Sequence, residues 1–136
     1  MKSQVPQIPI SLIFLLIIIA VVNGLAEAHS WYWIYRWFDM PMHFSGGVWL
    51  GGLAIWYFYF RKGLEPRVFL PILTVSLFVA FGVGFLWEVY EAGVSFVTVG
   101  HMNDIFDTLG DLLFDILGGT AVAVLIYVRG RLKNKN

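Results

Sequence analysis

Four stretches of this chain run for about 20 residues with few charges, long enough as helices to cross the roughly 30 Å hydrocarbon layer of a bilayer. They cover residues 8–26, 41–60, 68–91 and 104–128. A chain of 136 residues that is 59% hydrophobic, with a mean hydropathy of +0.75, has too little interior to hide that surface from water. In lipid each backbone polar group must be satisfied internally, and no stretch alternates with strand period. The expected fold class is therefore all-α: an integral membrane bundle of four transmembrane helices, forming a single domain over residues 1–136.

Between the first two spans lies "SWYWIYRWF", residues 30–38. It is too short to span, and its tryptophans and tyrosines suit the headgroup layer, so it is expected to form an interfacial helix.

The basic residues orient the bundle. Arg61, Lys62 and Arg67 follow the second span, Arg129, Arg131, Lys133 and Lys135 follow the fourth, and Lys2 precedes the first. Arg36 alone falls on the other side. The positive-inside rule then places both termini in the cytoplasm of a multi-pass cell-membrane protein. Of the acids only Glu65 is cytoplasmic; Glu27, Asp39, Glu88, Glu91, Asp104, Asp107, Asp111 and Asp115 lie toward the outer face, with His29, His43 and His101. Lys2, the first apolar run and "AEA" at 26–28 also fit a signal peptide with a small-residue cleavage site. The run is long for the 7 to 15 residues typical of such a region, which favours a retained span. A net charge of zero argues against a nucleic-acid partner, and the absence of cysteine excludes disulfides and thiolate metal sites.

The outer acids are patterned. Asp39, His43, Gly47 and Gly51 recur every four residues on the second span, Gly84, Glu88 and Glu91 share a face of the third, and Asp104, Asp107, Asp111, Asp115 and Gly119 share one of the fourth. Glycine lets helices approach closely in lipid. Three glycine seams would thus draw three helices together beneath a shared, outward-opening pocket. A charged aspartate at the depth of Asp115 costs a few kcal/mol, so it needs a partner, water or a proton. Arg36 is the only fixed outer cation, leaving protonation, a metal or a cationic substrate to neutralise the rest.

Plainer roles are open for several of these groups. Asp39, just before Met40 and Pro41, fits a cap of the second span, and Asp104 fits a cap of the fourth or a water-facing residue. Glu91 fits the water boundary, Glu27 and His29 fit loop residues, and Trp87 and the "WYW" cluster fit interface anchors. His43 alone would read as a hydrogen-bonded core histidine. Glu88, Asp111 and Asp115 fit such roles least, because intramembrane acids default to function.

The motifs "DMPMHFSGG", "WEVYE" and "DTLGDLLFDILGG", in that order, resemble the VanZ-like and YjdF-like small bacterial membrane proteins. The resemblance spans roughly residues 38–124 and marks Asp39, His43, Glu88, Glu91, Asp107, Asp111 and Gly118 or Gly119. VanZ-like proteins usually carry glutamine where Glu91 stands and often asparagine near Asp115, so the tryptophan–glutamate form here is nearer the YjdF type. VanZ-like proteins are linked to glycopeptide resistance, and the resemblance implies a site more than a reaction.

Three functions compete. Oxygen ligands with a histidine suit a divalent ion such as Mg²⁺, Mn²⁺ or Zn²⁺. The metal-ligand candidates are Asp39, His43, Glu88, Glu91, Asp107, Asp111 and Asp115. His43 and Asp111 lead as ligands, with Glu88 as ligand or general base, and these three are the catalytic candidates. The partners would be membrane lipids and a lipid-linked envelope precursor, and the activity metal-dependent hydrolysis of a lipid phosphate. The second reading is proton or cation translocation, although "AVAVLIYV" offers no inner polar path and four spans call for an oligomer. The third is a non-catalytic structural protein whose acids hold the bundle together.

Overall fold

The computed structural model describes residues 7–99 and 104–133; His101, Lys2 and Lys135 lie outside them. The described chain is helical with no strand: α1 (Ile10–Ala28), a single turn α2 (Trp31–Ile34), α3 (Asp39–Phe58), a 3₁₀ turn (Phe60–Lys62), α4 (Phe69–Val99) and α5 (Ile105–Lys133). By length and composition α1, α4 and α5 suit membrane crossing. α3, with 20 residues, does not reach that apolar standard. It carries Asp39, His43, Ser45 and five glycines or prolines among its residues, and it packs against α1, α4 and α5, so it needs less lipid-compatible surface.

Three rows of residues spaced by four build the core. On α3 they are His43, Gly47, Gly51 and Ile55; on α4, Ile72, Ser76, Ala80, Gly84 and Glu88; on α5, Asp111, Asp115, Gly119 and Ala123. All of these are buried. α3 and α5 run parallel in one register: Gly47 sits on the Asp115 backbone, Gly51 on Gly119, and Ile55 clusters with Ala123. α4 runs antiparallel against both, with Gly84 beside Asp115, Ser76 beside Gly51 and Gly119, and Ile72 in the Ile55–Ala123 cluster.

The fit is backbone to backbone. A methyl group at Gly47 would collide with the Asp115 carbonyl, and one at Gly118 with the Phe44 carbonyl. Gly46, one residue along, has open space. In lipid, where apolar burial does not drive helices together, such close approach supplies the dispersion contacts that do.

α1 leans on α3 more lightly. Leu12 is buried against Gly52. The Trp49 indole donates to the Leu12 carbonyl at 2.9 Å, and that of Trp56 to the Gln7 carbonyl at 3.2 Å. Most of the remaining α1 surface is exposed apolar side chain, as lipid contact requires.

Several local expectations change. The interfacial helix expected over 30–38 contracts to Trp31–Ile34, because Ser30 adopts a left-handed φ of 57° and the chain turns again at Tyr35–Phe38. Asp39 does not cap α3: Phe38 holds that position, makes no side-chain cap bond, and Asp39 is the first helical residue. Pro41 fits because a first-turn residue needs no amide donor. Glu27 belongs to the last turn of α1 rather than to a loop, and His29 follows as its C-cap. α4 and α5 both run past the expected limits, to Val99 and Lys133. At 31 and 29 residues they rise roughly 45 Å, more than a hydrocarbon core needs.

Candidate functional site

At the end of the bundle away from the basic turns, the three rows finish in polar groups. His43 is at the centre and is 8% exposed. One edge of its ring faces Asp115, with Nδ1 3.2 Å from Oδ2. The other edge faces Asp39 and Glu88, with Nε2 3.7 Å from Asp39 Oδ1 and 3.7 Å from Glu88 Oε1. Asp39 reaches His43 because residues four apart share a helix face. Asp111 joins them: one ligand atom each from Asp39, His43 and Asp111 lie within 4.8 Å of one another. Glu88, Asp111 and Asp115 are 3–4% exposed.

Most buried polar atoms here have a hydrogen-bond partner, whereas Glu88 Oε1 has none among the described residues. Leaving a buried carboxylate oxygen unsatisfied costs about 1–3 kcal/mol or more. Two atoms bound to one ion at about 2.1 Å each sit roughly 3–4 Å apart. The 3.7 Å separations are too long for hydrogen bonds and match that spacing. Asp39, His43 and Asp111 form the one group among the described residues whose ligand atoms lie close enough together to hold a metal ion, and Glu88 stands beside it, 3.7 Å from His43 Nε2.

The other candidates stand farther out. Glu91 is half-buried, one step off the row ending in Glu88. Asp107 is exposed in the first turn of α5 and Asp104 is exposed before it, where its Oδ1 accepts from the Phe106 amide at 3.0 Å, the capping role expected of it. Trp33 is 86% exposed and Trp87 about half exposed, consistent with interface anchoring. An apolar hollow of about 440 Å³ along Val89–Thr98 lies on the outward face of α4 and contains none of the site acids.

Two residues gain roles that the sequence reading did not give them. Ser76, fully buried, donates to the Gly119 carbonyl at 2.7 Å and lies beneath the histidine pocket. Its signal was present, since 72, 76, 80, 84 and 88 extend the glutamate's row in strict steps of four. Tyr32 donates to Asn23 Oδ1 at 2.6 Å, tying α2 to α1. Burial first, then the charges of Asp39, Glu27 and Glu91, push its phenol up to about 12, so it remains a donor at any physiological pH.

Long apolar helices around a buried carboxylate–histidine cluster define a helical membrane protein with a polar site inside its bundle. This chain belongs to a family of predicted membrane proteins (DUF2238), whose family model matches residues 1–131. That match supports a membrane protein family without singling out the VanZ-like or YjdF-like one. No curated protein and no solved structure matches the chain.

Proposed function

We propose that this protein spans the cell membrane four times with both termini cytoplasmic, binds a divalent cation in an outward-facing pocket, and there binds or hydrolyses a lipid phosphate or lipid-linked envelope precursor. The observation that carries this reading is the buried Glu88 Oε1, which has no hydrogen-bond partner among the described residues and lies 3.7 Å from His43 Nε2. α3 counts as a fourth span because it lies in register beside α5 from Gly47 to Ile55. The orientation follows from Arg61, Lys62, Arg67, Arg129, Arg131 and Lys133 gathered at the opposite end. The bonds from Trp49 to Leu12 of α1 and from Trp56 to Gln7 just before it favour a retained first span over a cleaved signal peptide. The resemblance of the ordered motifs to VanZ-like and YjdF-like proteins is the reason for placing that role in the cell envelope.

A cation held by these groups would polarise a phosphoryl oxygen and lower the pKa of a bound water. Asp39, His43, Glu88 and Asp111 would hold it, and Glu88 stands close enough to serve as ligand or as proton acceptor. A relay across the membrane is less well supported. Beneath Asp115 the Ser76 hydroxyl is already bonded to Gly119, and the next layer is Ile55, Ile72 and Ala123.

The test is reconstitution in vesicles containing phosphatidic acid or a polyprenyl phosphate, with Mn²⁺ or Zn²⁺ supplied. Metal-dependent phosphate release or lipid retention is expected from wild type and not from Asp111→Asn. Equal behaviour of the two proteins would remove the lipid assignment, and proton flux abolished by Asp115→Asn would establish the relay instead.

A further inference from the structure

The seven acidic and histidine candidates do not play equivalent parts, and the geometry around Asp115 separates one of them from the rest. Its Oδ2 meets the Nδ1 edge of His43, opposite the edge that faces Asp39 and Glu88. Asp115 is also held in place from behind. A methyl group at Gly84 would collide with its carboxylate oxygen, and the backbone of the same residue rests on Gly47. Helices α3 and α4 thus carry glycine where the aspartate passes between them.

Resting on the cation reading above, we infer that Asp115 is a positioning residue rather than a ligand: it fixes His43 with its proton on Nδ1 and its lone pair on Nε2, making the pocket a site for an imidazole-accepting first-row ion of the zinc class rather than for Mg²⁺ or Ca²⁺. The physical basis is general. A carboxylate beside one ring nitrogen accepts its N–H, sets the tautomer, and raises the basicity of the other nitrogen. Mg²⁺ and Ca²⁺ prefer oxygen ligands throughout, while zinc and its neighbours accept imidazole with carboxylates. Glu88 Oε1, buried without a hydrogen-bond partner among the described residues and 3.7 Å from Nε2, marks the side of the ring on which the ion belongs.

The experiment uses the full chain in detergent, with Co²⁺ as a visible-spectrum probe and Zn²⁺ and Mg²⁺ as competitors. Wild type, Asp115→Asn and Ile55→Ala are compared, and helical content and thermal midpoint are recorded for each. Wild type should bind Zn²⁺ at least about tenfold more tightly than Mg²⁺. Asp115→Asn should keep its helical content, weaken Zn²⁺ by about 10–100-fold and alter the Co²⁺ spectrum, because an outer partner of a ligating histidine has been changed. Ile55→Ala, a packing change in the other half of the bundle, should lower the midpoint and leave the Zn²⁺-to-Mg²⁺ ratio alone. Wild-type affinity and spectrum in Asp115→Asn, or Mg²⁺ binding as tight as Zn²⁺, would overturn the inference while leaving a cation site. Failure of folded wild type to bind any of the ions would overturn both the inference and the cation reading.

Discussion

The two halves of the three-helix seam are built on the same spacing and filled with opposite chemistry. In the basic-end half, Ile55, Ile72 and Ala123 close the core, flanked by Leu73, Ile126, Tyr59 and Tyr127. In the other half, the same rows carry His43, Glu88, Asp111 and Asp115. The closest backbone approaches, Gly47 on Asp115 and Gly118 on Phe44, lie in the polar half, and the aliphatic half packs through side chains. Buried carboxylates cost free energy that hydrocarbon in the same positions would not. Their concentration around one imidazole is what the proposed cation reading accounts for. In that proposal the aliphatic half is scaffold and the carboxylate half is the site.

This division can be broken at defined points. The largest effect is expected at Gly47→Ala, whose new methyl group meets the Asp115 backbone, where neither helix can yield cheaply. A loss of about 3 kcal/mol is expected in mixed-micelle unfolding, the upper part of the usual overpacking range. Gly46→Ala, with nothing within 4 Å, should instead be neutral or gain up to about 1 kcal/mol from helix propensity. Similar destabilisation by both changes would show that the register between α3 and α5 is wrong.

Ile55→Ala should come next, at about 2 kcal/mol for lost packing in the aliphatic half. Its effect should be confined to stability, with cation affinity in the folded protein unchanged. A large fall in affinity would show that the two halves are coupled. The smallest loss is expected at Tyr32→Phe, about 1 kcal/mol for one hydrogen bond to Asn23. The raised phenol also sets a pH window. Its contribution is present below pH 10 and disappears as the pH rises through about 12, where the folded-state group ionises. A phenolate absorbance step at pH 10 that vanishes in Tyr32→Phe would contradict the burial described for that ring.

Much of this division was readable from residue spacing. The steps of four in His43–Gly47–Gly51 and Asp111–Asp115–Gly119 even match with a constant offset, which is the register observed. Spacing on single helices does not state which rows face each other, however, and so did not show where Asp115 and Asp111 each stand around the histidine. Only the pairing of α3 with α5 puts Asp115 under the histidine and Asp111 beside Asp39. Asp107 lay on the same sequence face yet sits in the exposed first turn of α5. A face is a property of one helix, whereas burial depends on where its neighbours end. The interfacial segment misled for a local reason: composition suited to a headgroup layer does not fix backbone angles, and Ser30 takes a left-handed one.

The most direct test of the central claim is elemental analysis of detergent-purified wild type beside His43→Ala and Asp111→Asn. The account predicts close to one divalent metal ion per wild-type chain after soaking and removal of free ion, with loss from both folded variants. No metal in wild type, or equal metal in all three proteins, would contradict it and leave the carboxylates to protons and to one another.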